Sequence, residues 1–105
     1  MNQQNSLSPS AREAARLLGL QVRHGRRERR WTLIDLAARV GVSEVTLRKV
    51  EKGDVTVALG TAFEAAALVG VTLFDDDELR RHLHADRLVL LNRIRTPRPT
   101  IDNDF

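Results

Sequence analysis

The sequence predicts an all-α fold of five helices. Apolar residues recur at spacings of three and four, and capping residues or glycines stand at the ends of these periodic segments. The 105 residues include no cysteine, no tyrosine, one tryptophan and three phenylalanines. This composition excludes disulfides and thiolate metal sites, and it provides too few aromatic residues for a large aromatic core or a base-stacking platform.

The first helix is predicted from Pro9 to about Arg29. Ser8 is suited to cap it, and proline at the first helical position costs no hydrogen bond. Ala11, Ala14, Ala15, Leu18 and Val22 then recur at helical spacing. Gly19 and Gly25 fall inside this segment, where each costs on the order of 1 kcal/mol relative to alanine and weakens the expectation of an unbroken helix.

Two short helices are predicted next, close together in the chain. Thr32 and Asp35 form an approximate capping box, and Gly41 is placed to end the second helix in a left-handed conformation. Ser43 caps a third helix that runs to about Lys52. Because so few residues join these helices, they must cross steeply rather than lie antiparallel.

The rest of the chain predicts two further helices and a tail. A fourth helix spans about 59–70, and a fifth begins within 72–78, where three aspartates favour a helix start, and runs to about Arg95. Pro97 and Pro99 then end regular structure. We therefore expect a flexible N-terminus (1–8), one folded domain (9–95) and a flexible tail (96–105).

The charge is unevenly distributed along the chain. Residues 10–53 have 11 Lys and Arg against five Asp and Glu, a net charge of +6, whereas residues 54–86 have a net charge of −5 and residues 87–105 of +2. Such a basic first half indicates an anionic partner on one side of the protein, although a basic run can also be a solvated helix face. The densest basic run is Arg23, Arg26, Arg27, Arg29 and Arg30.

The segment 33–52 meets the requirements of a helix-turn-helix. Ala37 is the small residue where the two helices touch, and Gly41 is the turn residue that tolerates a left-handed backbone. The apolar anchors that face the first helix are Leu36, Val40, Val42, Leu47 and Val50. A plain αα-hairpin shares some of these features but rarely all of them.

Two segments of the chain carry a family resemblance, Leu-Ile-Asp-Leu-Ala-Ala-Arg-Val-Gly-Val-Ser and Thr-Leu-Arg-Lys-Val-Glu-Lys-Gly. Through them, residues 17–71 resemble the Xre/Cro-type helix-turn-helix family. The resemblance implies a five-helix, lambda-repressor-like DNA-binding domain whose third helix enters the major groove. By position it assigns base reading to Glu44, Val45 and Lys49. It assigns phosphate contacts to Ser43, Thr46, Arg48, Lys52, Arg27 and Arg30, and a structural salt bridge to Arg26 and Glu51. Because Arg26 then has a structural role, the arginines that remain as candidates for contact with the DNA backbone are Arg23, Arg27, Arg29 and Arg30.

The chemistry of the three base-reading positions is distinct. Lys49 can donate to guanine, Glu44 can accept from the cytosine amino group, and Val45 can contact a thymine methyl. Glu44 is equally suited to complement the helix dipole, and Ser43 to act only as a cap. Trp31 is expected in the core. The resemblance departs at Leu33, where the family often has a phosphate-binding glutamine.

A narrower resemblance covers the residues after the third helix. Arg-Lys-Val-Glu-Lys-Gly-Asp-Val-Thr-Val-Ala-Leu-Gly-Thr and the ending Asp-Asn-Asp-Phe are similar to HipB-type antitoxins, although Val55 and Ala58 replace the usual proline and capping serine. This resemblance implies the antitoxin of a type II toxin–antitoxin module, which represses its own operon and binds a HipA-like kinase toxin through the acidic surface 75–86 or the tail. The alternatives are a stand-alone phage or metabolic repressor and a protein-interaction adaptor.

A dimer is expected because one recognition helix reads too few base pairs. Two copies read successive turns of a palindromic operator, roughly 34 Å apart. The apolar residues expected at the dimer interface are Leu83, Leu88, Leu90, Leu91 and Ile94. The alternative is that they complete the core of a monomer.

Enzymatic, metal and membrane functions find no support in the sequence. There is no phosphate-binding glycine loop and no nucleophile beside a base, so we expect no catalysis and no cofactor. His82 and His84 diverge by about 200° on a helix, and the acidic run 75–78 is explained as a helix start. No apolar run approaches the roughly 20 residues of a membrane span, and the polar start is no signal peptide, so a cytoplasmic, nucleoid-associated protein is expected.

Overall fold

The computed structural model describes residues 6–94, and five helices lie entirely within this range. They are α1 (Pro9–Glu28), α2 (Leu33–Val40), α3 (Glu44–Glu51), α4 (Leu59–Leu68) and α5 (Glu78–Arg93). The predicted all-α fold is thus confirmed, with no strand in the described residues. The chain divides into two compact units with the boundary between Leu73 and Phe74. The predicted C-terminal tail and residues 1–5 of the predicted N-terminal segment lie outside the described residues.

The helix starts of the first unit follow the capping residues of the sequence. The hydroxyl of Ser8 accepts from the Ala11 N–H at 3.1 Å, and the hydroxyl of Ser43 accepts from the Thr46 N–H at the same distance. Thr32 and Asp35 form a complete capping box. The start of α4 has no side-chain cap because Ala58 occupies the capping position, as the departure from the antitoxin pattern predicted.

Helix α1 is unbroken, and its two glycines explain how it packs. A Cβ on Gly19 would lie 2.5 Å from the Val50 carbonyl oxygen, and a Cβ on Gly25 would lie 2.6 Å from that of Val69. These distances are too short for any side chain. The glycines therefore let the ends of α3 and α4 approach the α1 backbone. This close packing requires glycine at both positions, although glycine lowers the helical propensity of α1.

The core of the first unit lies where four helices meet. α1 packs against α3 and α4, and α2 packs against the same two helices. Val22 of α1, Leu36 of α2 and Leu47 of α3 are fully buried. The other buried apolar residues are Ala37, Val50, Ala65, Ala66 and Val69. The core thus fixes α3 through its apolar face, as the helix-turn-helix pattern predicts.

The turn between α2 and α3 uses the left-handed glycine predicted there. Gly41 has φ +86°, and its N–H donates to the Ala37 carbonyl at 2.8 Å. Val42 donates to the same carbonyl at 3.0 Å, which completes the helix stop. The chain then enters α3 two residues later, so the crossing of the two helices is set by local geometry.

The second unit, described by itself, consists of a turn and α5. The helix begins at Glu78, the last residue of the predicted window, because the Asp77 carboxylate accepts from the Arg80 N–H. The Asp77 N–H in turn donates to Asp75, which lowers the pKa of that carboxyl. No residue of α5 is buried. None of the helices in residues 6–94 is long and apolar enough to cross a membrane.

Candidate nucleic-acid interface

Most of the α3 residues that are predicted to contact DNA lie on the exposed face of this helix. At 100° per residue, a sector of about 100° contains the exposed side chains of Val45, Arg48, Lys49 and Lys52. Leu47 and Val50 lie on the opposite face and are buried. The helix therefore presents one apolar and three cationic side chains to solvent from a backbone fixed by the core.

The first turn of α3 is internally hydrogen-bonded. Besides capping the helix, the Ser43 hydroxyl donates to the Thr46 hydroxyl at 3.1 Å. Arg48 Nη2 donates to Glu44 Oε1 at 2.7 Å. The family resemblance assigns Ser43, Thr46 and Arg48 to phosphate contacts and Glu44 to a base. In the structure each of them binds a partner in α3 or its cap. This ion pair was not predicted from the sequence, although the spacing of four residues between Glu44 and Arg48 is a signal that could have indicated it.

A buried salt bridge fastens α3 to α1. Arg26 Nε donates to Glu51 Oε2 at 2.7 Å and Nη2 donates to Oε1 at 3.1 Å. The remaining nitrogen, Nη1, donates to the Trp31 carbonyl at 2.9 Å. These bonds place Arg26 and Glu51 in the pairing that the family resemblance implies. They also bind the end of α3 to the segment that leads into α2, so the two crossing helices share one anchor.

The other arginines of the basic run have different environments. Arg27 is exposed, and so is Arg30, whose φ of +59° is a left-handed conformation that a long side chain seldom adopts. Arg29 instead binds within the protein, because its Nη1 donates to the Val69 carbonyl at 2.6 Å and so caps the end of α4. Arg29 thus has a structural role, which no local sequence signal indicated.

The start of α2 differs from the usual family arrangement. Leu33 is partly buried and packs against the core, so it stabilises the fold where relatives use a glutamine. Trp31 also packs against the core, and the Arg39 guanidinium lies 4.1 Å from the centre of its ring. The hydrogen bonds from the Thr32 backbone and hydroxyl groups hold the pKa of Asp35 below its usual value.

The predicted dimer residues lie on an uncovered helix. Leu83, Leu88, Leu90, Leu91 and Ile94 are 45–60% exposed in the single chain. Leu79 and Val89 of the same helix are also exposed, and Phe74, which precedes it, has φ +73° and is 86% exposed. The second unit thus leaves a large apolar surface in solvent, where a monomer rarely keeps one.

No metal site is formed by the residues that the structure describes. Within 6–94, no group of three or more His, Asp or Glu side chains comes together in an arrangement that holds a metal ion. The acidic residues before α5 are occupied by helix capping and by Arg80, whose Nε lies 3.1 Å from Asp75 Oδ2.

Comparison with known proteins identifies the family of the chain. Residues 22–75, just over half of the sequence, match the helix-turn-helix family. Neither the curated proteins nor the solved structures gave a match to the chain. The matched range holds the last seven residues of α1, the crossing helices and α4. This agrees with the lambda-repressor-like fold and indicates a DNA-binding transcription regulator. The chain belongs to the Xre/Cro-type helix-turn-helix family.

Proposed function

We propose that the protein is a sequence-specific transcriptional repressor that acts in the cytoplasm, on the nucleoid. The observation that supports this proposal is the exposed sector of α3 on a helix anchored by Arg26 and Glu51. In the major groove, Lys49 donates to guanine O6 or N7 and Val45 contacts a thymine methyl. Glu44 accepts from the amino group of a cytosine.

Cations around α3 supply the contacts with the DNA backbone. Lys52 extends the exposed sector of α3, and Arg27 and Arg30 are exposed at the end of α1. The backbone of Arg30 is left-handed and therefore strained, whereas asparagine or glycine would adopt this conformation more easily. An arginine kept at such a position favours a functional role for its side chain. Each phosphate contact releases counterions, so the affinity for DNA falls steeply with salt.

The repressor function is tested with DNA selected from a pool of random duplexes. The Kd for the enriched duplex is measured by fluorescence anisotropy for the wild type and for the double variant Glu44→Ala, Lys49→Ala. This variant keeps the net charge, so any loss reflects base contacts rather than overall attraction. We expect specific binding to weaken roughly 30-fold or more, since each good base contact contributes about 1–3 kcal/mol. An unchanged affinity and base preference would instead favour a protein-interaction adaptor.

We further propose a homodimer that binds a palindromic operator. The support is the exposed apolar surface of α5, because burying it against a second copy removes that surface from water. Sedimentation equilibrium is expected to give a dimer for the wild type and a monomer for Leu83→Glu, Leu90→Glu. The control is Leu59→Glu, the same change at an exposed leucine of α4. A wild type that stays monomeric at micromolar concentration refutes the dimer.

The finer proposal is that the repressor is the antitoxin of a HipA-like kinase. It is supported by the sequence similarity after α3 and by the acidic residues that begin the second unit. A kinase-like reading frame beside the gene, and copurification of its product with this protein, are the expected results. Without such a neighbour, a stand-alone phage or metabolic repressor is the better description.

A further inference from the structure

Glu44 and Arg48 form an ion pair at the edge of the α3 sector that faces solvent. Arg48 Nη2 lies 2.7 Å from Glu44 Oε1, and the two side chains are 47% and 41% exposed respectively. The pair spans one helical turn and uses one oxygen of the carboxylate. Among residues 6–94 the hydrogen bond from Arg48 is made to Oε1 alone, which leaves Oε2 for a donor from a bound partner.

This ion pair adds little to the stability of the fold. Exposed pairs four residues apart contribute only about 0.3–0.5 kcal/mol, and two long side chains lose rotamer freedom when they are held together. An unpaired carboxylate in the major groove is repelled by the phosphates, and a guanidinium paired with it offsets that repulsion. The 2.7 Å bond from Arg48 also restricts the direction of the Glu44 carboxylate.

We propose that Arg48 is a positioning residue for base recognition, which rests on the proposed function of α3. It holds Glu44 so that Oε2 accepts a hydrogen bond from the N4 amino group of a cytosine, and the paired guanidinium contacts no phosphate. The residue that the family resemblance assigned to the DNA backbone thus sets sequence preference through its neighbour. The group on DNA that the Glu44–Arg48 pair recognises is a cytosine amino group in the major groove.

The test combines base preference with salt dependence. Wild type, Glu44→Ala, Arg48→Ala, Arg48→Lys and the control Lys52→Ala are each used to select from the same random duplex pool. The base that Glu44 reads is the position where Glu44→Ala loses its preference. The Kd for the enriched duplex is then measured between 50 and 200 mM salt, roughly the range in which phosphate contacts dominate the change.

We expect Arg48→Ala to reduce the cytosine preference at that same position roughly 5- to 100-fold, as Glu44→Ala does. Its salt slope stays at the wild-type value, and Arg48→Lys, which keeps a cation one turn from Glu44, retains most of the preference. Lys52→Ala behaves in the opposite way: its base preference is unchanged and its slope falls by about one.

Two results overturn the proposal. If Arg48→Ala keeps both the cytosine preference and the wild-type salt slope, the ion pair has no effect on DNA recognition. If it keeps the preference while the salt slope falls by about one, Arg48 is a phosphate contact. Failure of the proposed function is distinguishable from both, because the wild type then enriches no sequence. Far-ultraviolet circular dichroism of each variant verifies that α3 and its neighbours are folded.

Discussion

Replacing Glu51 with alanine is expected to be among the most damaging single changes to the first unit. It removes two hydrogen bonds, of 2.7 and 3.1 Å, and leaves the Arg26 guanidinium without its counter-charge. The side chains of Arg26 and Glu51 are only 11% and 7% exposed, so water does not replace the lost partner. Breaking a buried pair from one side costs about 3–5 kcal/mol. A chain of this length has a total unfolding free energy of about 5–15 kcal/mol.

Urea unfolding followed by the fluorescence of Trp31, the only tryptophan, measures this loss. With a slope of about 1–3 kcal/mol per molar urea, the midpoint is expected to fall by about 1–5 M. The matched control is Glu28→Ala, which breaks the exposed pair with His24 and should cost no more than about 1 kcal/mol. If Glu51→Ala costs no more than Glu28→Ala, the salt bridge does not anchor α3 to α1.

Three further predictions concern packing, pH and the left-handed arginine. Gly19→Ala is expected to lower the free energy of unfolding by about 1–3 kcal/mol, although alanine has the better helical propensity. The control Gly60→Ala, whose added Cβ meets nothing within 4 Å, should not destabilise the protein. Equal urea midpoints for the two variants contradict this prediction. Because the pKa of Asp35 is lower in the folded state, its capping contribution is fully present above the unfolded pKa of about 4 and is lost as the pH falls through the folded value. Asp35→Asn should therefore destabilise the protein near neutral pH and flatten the acid limb of the stability profile; an unaltered limb argues against the capping box as its source. Asparagine suits the left-handed backbone at position 30, so Arg30→Asn should unfold no more easily than the wild type. The same variant should reduce the salt slope of DNA binding by about one. If its slope equals that of the wild type, Arg30 does not contact a phosphate.

The helix boundaries were predictable because local chemistry determines them. Ser8, Thr32, Ser43 and Gly41 act within four residues of the helix ends that they fix, so their effect can be deduced from neighbouring residues alone. The buried stripe of the helix-turn-helix was predictable for the same reason, since its spacing repeats with the helical period.

The long-range contacts were not predictable in the same way. Gly19 and Gly25 appeared as weak points of a helix, and only the approach of α3 and α4 shows why a side chain is excluded there. The bond from Arg29 to the Val69 carbonyl joins residues 40 positions apart and follows no periodic pattern. Within the candidate site, the pairing of Glu44 with Arg48 was missed: a spacing of four residues permits it, but whether Arg48 turns to Glu44 or outward depends on the side-chain rotamer.

Whether two copies of α3 read DNA sequence is decided by the duplexes that the wild type selects from the random pool. We expect a two-fold symmetric sequence whose half-sites are centred about 10 base pairs apart, or a multiple of one helical turn. Recovery of duplexes with no common sequence, at an affinity that Glu44→Ala, Lys49→Ala leaves unaltered, would contradict this expectation.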